Sequence, residues 1–126
     1  MQIITLSGNP NTGKTTSLKS LYSRLINLGA KDILPPSSCK VSPCDDEYFV
    51  NWKGKRIGIV TLGDYAYEIV WYLGVYSGLN ADVLIIANSN KGAHLHIINW
   101  HEFEHVDIKK TSIDETDTEE SILASI

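Results

Sequence analysis

The stretch Gly8-Asn9-Pro10-Asn11-Thr12-Gly13-Lys14-Thr15-Thr16 constrains the fold more than any other part of the chain. It follows a short apolar run, Ile3, Ile4 and Leu6, which reads as a strand over residues 2–6. It precedes Leu18, Leu21, Leu25 and Leu28, which share one helical face, with Lys19 and Arg24 off it and Gly29 placed to end the helix. A strand therefore enters a helix through a loop with glycine at both ends. Gly8 and Gly13 allow backbone angles and a close approach that a Cβ hinders. Successive N–H groups of such a loop turn inward as an anion nest, and the helix adds unpaired donors and the positive end of its dipole. Lys14 is spaced to reach β- and γ-phosphates, Thr15 to offer Mg²⁺ a hydroxyl, and Thr16 to cap the helix or contact the α-phosphate side.

Gly-x-x-x-x-Gly-Lys-Thr in this context resembles the Walker A motif of the P-loop NTPases. Its spelling, Gly8-Asn9-Pro10-Asn11-x-Gly13-Lys14-Thr15, is most similar to the loop of translation-factor-type GTPases. The resemblance covers residues 8–16 alone. It implies a small three-layer αβα P-loop fold of the α/β class, with about five strands in a mostly parallel sheet. It also implies that Gly8, Asn9, Asn11, Thr12, Gly13, Lys14, Thr15 and Thr16 bind ATP or another nucleoside triphosphate together with Mg²⁺.

A chain of 126 residues accommodates one domain but no separate substrate domain or long lid. We expect a nucleotide-binding domain over residues 1–111, then an acidic tail or short docking helix over 112–126. The net charge of −4 belongs to that tail, which carries Asp114, Glu115, Asp117, Glu119 and Glu120 and no Lys or Arg. The preceding residues are close to neutral, so no broad basic surface points to nucleic acid. No apolar run is long enough for a membrane span, and the first strand begins at Gln2 in place of a signal peptide. A cytoplasmic location is expected. Cys39 and Cys44 read as two reduced loop thiols, with a metal or redox role as the alternative.

Residues 48–52 and 56–62 read as strands of an antiparallel hairpin at residues 48–62, turning through Lys53-Gly54-Lys55. The loop over 30–46, rich in Pro and Ser, either covers the nucleotide, receives a second substrate, or merely connects. Asp64 follows the second hairpin strand. It is a candidate Walker B-like carboxylate for Mg²⁺, directly or through water; the alternative is the N-cap of the next helix. That helix, residues 65–79, is apolar all round with Glu68 its only charge, and a chain this small has little material to cover it. We expect a homo-oligomer or protein-partner surface there, or cover by the C-terminal segment or the hairpin. Residues 82–87 read as a buried parallel strand, and Lys91 beyond it is a candidate phosphate contact. A third helix is expected over 93–103. His94, His96, His101 and His105 lack the spacing of a metal-ligand set, and His94 is the candidate general base. Residues 105–110 read as a last strand with Val106 and Ile108 inward. Thr116 and Glu119 are spaced as a capping box for a final helix docked by Ile122, Leu123 and Ile126.

The missing residues narrow the function. Asn90-Lys91-Gly92-Ala93 lacks the aspartate that would accept from guanine, and Asp-x-x-Gly is absent, which weakens a regulatory GTPase. Only Arg24 and Arg56 are available to neutralise phosphates, which weakens a nucleotide kinase acting in cis. Tyr65 follows Asp64 where helicase-like and transporter-like ATPases carry a glutamate. An ATP-type enzyme performing hydrolysis or phosphoryl transfer remains, with Lys14 and Asp64 as catalytic groups. The alternatives are a non-enzymatic nucleotide-dependent module and a small kinase for a non-nucleotide acceptor.

Overall fold

A computed structural model describes residues 1–8, 13–33, 47–61, 66–88, 98, 103–110 and 115–126, apart from the side chains of residues 66 and 115–117. Six strands form one sheet: β1 Gln2–Ser7, β2 Lys31–Asp32, β3 Glu47–Trp52, β4 Lys55–Val60, β5 Val83–Asn88 and β6 Glu104–Lys109. Their order is β2-β3-β4-β5-β1-β6. β1 pairs in parallel with β5 and β6, and β4 with β5, whereas β3 runs antiparallel to β2 and β4. The described helices are α1 Lys14–Asn27, α2 Ala66–Gly78 and α3 Glu115–Ser125. The chain is thus of the α/β class with a mixed sheet. Among the described residues no helix is long and apolar enough to cross a membrane.

The period-two alternation of β1 divides the core between two faces of the sheet. Ile4 and Leu6 meet Leu18, Leu21 and Leu25 of α1 and Ile122 of α3. Ile3 lies on the other face with Phe49, Leu84, Ile86 and Ile69, Tyr72, Leu73 and Tyr76 of α2. α1 stops in a Schellman motif: Gly29, at φ +100°, donates to the Ile26 carbonyl at 3.1 Å, and Ala30 to that of Leu25 at 2.9 Å. Leu28, expected on the buried face, is 52% exposed because it is already the helix-capping residue. α2 is set on the sheet by a close approach. A Cβ on Gly58 of β4 would lie 2.4 Å from the Tyr76 ring, so only glycine admits that ring. The Tyr76 hydroxyl donates to buried Glu47 at 2.7 Å. Burial and this carboxylate hold the phenol far above its usual range.

Several expectations need correction. The sheet has six strands because Lys31 and Asp32, placed in the long loop, pair with Asn51 and Val50. The hairpin turn is the two residues Lys53 and Gly54, both at positive φ as a right-twisted hairpin requires, and Lys55 already pairs with Trp52. Val106 is 37% exposed because β6 is an edge strand. The alternative of full cover for α2 does not hold: Tyr67, Val70 and Trp71 stay exposed, and the C-terminal α3 covers α1 on the opposite face. Thr116 lies inside the first turn of α3, which begins at Glu115, and so does not stand at its cap. The loop beyond Ile33, both cysteines, His94, His96, His101 and nearly all of the expected helix over 93–103 lie outside the described residues.

Candidate functional site

The carboxyl end of β1 is where the connections of the sheet diverge. After β1 the chain enters α1 on one face; after β5 it reaches Ile98, buried on the other. Neighbouring strands whose connections leave to opposite faces open a crevice at their carboxyl ends. By that rule the boundary between β1 and β5, where Gly8 follows Ser7, is the place in this sheet suited to a ligand. The Gly8 N–H donates to the Asn88 carbonyl at 3.2 Å, and the Lys110 N–H to that of Ser7 at 2.7 Å. Three strand ends are thereby tied around the start of the loop.

The other end of the loop is Gly13, in the left-handed region at φ 82° and ψ 22°, where a side chain would be strained. α1 then begins without a side-chain cap and without an acid in its first turn. The first intrahelical bond runs from Ser17 N–H to the Gly13 carbonyl at 2.9 Å, so the N–H groups of Thr15 and Thr16 have no partner inside the helix. Both threonines are exposed. Lys14 folds back, and its Nζ donates to the Gly8 carbonyl at 2.7 Å. The ammonium thus spans the loop from its last residue to its first. Donors, dipole and a cation converge at one point of the sheet edge, an arrangement suited to an anion.

Behind the loop, on the α2 face, five polar side chains form a chain of hydrogen bonds across β5, β1 and β6. Asn88 Nδ2 donates to Ser7 Oγ at 3.0 Å, and the Ser7 hydroxyl donates to Asp107 Oδ1 at 2.5 Å. The Thr5 hydroxyl donates to the same oxygen at 2.6 Å and lies 2.9 Å from His105 Nε2. Thr5 has one proton to give and the carboxylate takes it, so the His105 contact requires Nε2 to carry hydrogen. Thr5, Ser7 and Asn88 are buried, which makes their mutual satisfaction obligatory. Burial lowers the His105 pKa, and the nearby charge of Asp107 opposes that shift. The network fixes the Asn88 and Ser7 side chains, whose backbones hold Gly8 and Lys110. Lys110 itself is 3% exposed at this edge.

Of the residues singled out in the sequence, Gly8, Gly13, Lys14, Thr15 and Thr16 are brought together here. Asn9, Asn11, Thr12, Asp64 and Lys91 lie outside the described residues. β4, which precedes Asp64, is not adjacent to β1, because β5 lies between them. The polar network went unread in the sequence, although its signal is present. Thr5 and Ser7 interrupt an apolar central strand at a spacing of two, and His105 and Asp107 repeat the spacing on β6, in register with Ile3 and Thr5. Among the described residues no group of three His, Cys, Asp or Glu is arranged to hold a metal. Comparison with protein-family models, curated proteins and solved structures finds no match to this chain.

Proposed function

We propose that the chain is a P-loop protein that binds a nucleoside triphosphate of the ATP type, with Mg²⁺, at residues 8–16, and hydrolyses it or transfers its terminal phosphoryl group. The observation that carries this reading is the N-terminus of α1, without a side-chain cap or an acid in its first turn and spanned by Lys14, at the carboxyl end of β1 beside β5. A helix N-terminus without a side-chain cap is matched to a phosphate oxygen. Lys14 would exchange the Gly8 carbonyl for the β- and γ-phosphates and stabilise charge as it spreads in transfer. The exposed Thr15 hydroxyl suits a hard cation, and the oxygens of the triphosphate and water would complete its shell. When bound, Mg²⁺ supplies neutralisation of phosphate charge. Asp64 is proposed as its acid. Because β5 separates β4 from β1, a span of roughly 10 Å across two strand spacings, we assign contact through water. Lys91, after β5, is proposed as a further phosphate contact. Adenine is preferred because the guanine-reading aspartate is missing.

Titration calorimetry with ATP and GTP, with and without Mg²⁺, and an assay of phosphate release test this reading. Magnesium-dependent ATP binding with measurable turnover is expected. Absence of heat for every triphosphate at millimolar concentration ends it. One observation favours a second reading, a nucleotide-dependent binding module: α2 exposes Tyr67, Val70 and Trp71 to solvent. Tight binding with no phosphate release would select that reading.

A further inference from the structure

α2 contains two glycines that nothing among the described residues explains. Gly74 lies in the helix interior and Gly78 at its last residue, both exposed, and neither has a positive φ. A Cβ built on either would have nothing within 4 Å, whereas one on Gly58 would strike Tyr76. Glycine inside a helix loses stability relative to alanine. Gly58 gains the seat of Tyr76 in return, but Gly74 gains nothing from the described residues. A bare backbone on an outer helix surface admits close approach from outside.

The same surface carries Tyr67, Val70 and Trp71, exposed by 71%, 47% and 56%. With Gly74, Ser77 and Gly78 these residues form one helix face that bears no charge. Their order is symmetric. Reversing the helix about the point between Tyr72 and Leu73 brings Tyr67 opposite Gly78 and Trp71 opposite Gly74 in a single register. A surface whose knobs and holes interchange on reversal is complementary to itself, as a two-fold interface requires. Charge agrees with a second copy as the occupant. The acids Glu119 and Glu120 lie on the opposite side of the sheet, beside Arg24 of α1, so pairing through α2 keeps the acidic layers of two copies outermost. Tyr67, Val70 and Trp71 offer roughly 400 Å² per copy, or about 800 Å² in all, short of a standard stable interface of ~1,200–2,000 Å².

We infer that α2 is the self-association face of this protein: two copies pair antiparallel through α2, with Trp71 and Tyr67 of each seated over Gly74 and Gly78 of the other. The dimer is weak and reversible, with a dissociation constant on the order of 10–1,000 μM. The inference names the partner at the surface the second reading uses. It requires no nucleotide, so its failure leaves the phosphate site untouched.

Sedimentation of the full chain without nucleotide, from micromolar to millimolar concentration, is the test, with Trp71→Gln and Gly74→Ala beside the wild type. A monomer–dimer equilibrium is expected that stops at two copies and weakens at least tenfold in both variants. Gly74→Ala should also raise Tm by about 3–6 °C under monomeric conditions, because it improves the helix and touches nothing internal. A wild type that stays monomeric, one that grows beyond a dimer, or a dimer that survives Gly74→Ala overturns the inference. Thermal melts of each variant keep misfolding from being mistaken for lost association.

Discussion

α1 and α2 pack on opposite faces of one sheet and differ in what they leave unfinished. α1 buries Leu18, Leu21 and Leu25, and α3 supplies Ile122 to the same core while Glu119 and Glu120 meet Arg24 at 3.3 and 2.6 Å. Its apolar face is covered within the chain, and its first turn presents backbone donors with no side-chain cap. α2 has the reverse balance. Its inner side is locked by Tyr76 over Gly58 and by the bond to Glu47, while its outer side keeps exposed aromatic rings. On the proposals above, an anion would complete one helix and apolar cover the other. A helix terminus without a side-chain cap and an exposed aromatic ring call for different partners because burial rewards apolar area and penalises unpaired polar groups.

The largest effect should come from breaking the locked side of α2. Gly58→Ala places a methyl group where the Tyr76 ring stands, and the ring cannot retreat without losing its bond to Glu47. We expect a loss of about 3–4 kcal/mol, from overpacking plus the loss of the Tyr76 bond to buried Glu47. Chemical denaturation measures it. A loss below ~1 kcal/mol would mean that α2 is held less tightly than its contacts imply. Next, Ile122→Ala removes the α3 contribution to the α1 core. A loss of about 2–4 kcal/mol is expected. The same variant should expose the flank of α1, and dye binding should rise above the wild-type level.

The third prediction separates the open polar end of α1 from its packed body. Lys14→Ala should leave the denaturation midpoint almost unchanged, because the half-buried side chain spans a loop and takes no part in the core. Triphosphate affinity should fall by about 100-fold, near 2.7 kcal/mol, as calorimetry would show. Unchanged affinity would place the anion elsewhere.

How much of this was legible in the sequence follows from what each signal depends on. The leucines of α1, Gly29 at its end and the hairpin turn at Gly54 are local, so period and turn chemistry suffice to read them. The placement of Gly8, Gly13, Lys14, Thr15 and Thr16 at one sheet edge was readable for the same reason. The pairing of Lys31 and Asp32 with β3 was not, because two exposed polar residues carry no pattern and the pairing partner is distant in sequence. α2 reads as apolar on every side, and only the tertiary arrangement decides which side the sheet takes. Thr5, Ser7, Asn88 and Asp107 each look like a minor interruption of a strand. They become one network only because β5, β1 and β6 are neighbours, and strand order is not a local property.

The smallest effect concerns that network. The folded His105 has its pKa lowered from 6.5, mainly by burial and against the attraction of Asp107. Above 6.5 the ring is neutral in both the folded and unfolded chains and contributes no slope. As pH falls below 6.5 the unfolded chain takes up the proton first, so stability decreases until the folded ring is protonated as well, and then levels off. His105→Gln removes this titration while keeping a donor near Thr5. The difference in denaturation midpoint between wild type and variant should therefore shift in favour of the variant as pH is lowered through that window. The shift should be modest because the ring is only half-buried. A difference that moves the other way would mean that the charge of Asp107 outweighs burial. The β6 edge of the α2 face would then behave as a solvated ion pair, in contrast to the buried polar chain that steadies the carboxyl end of β1.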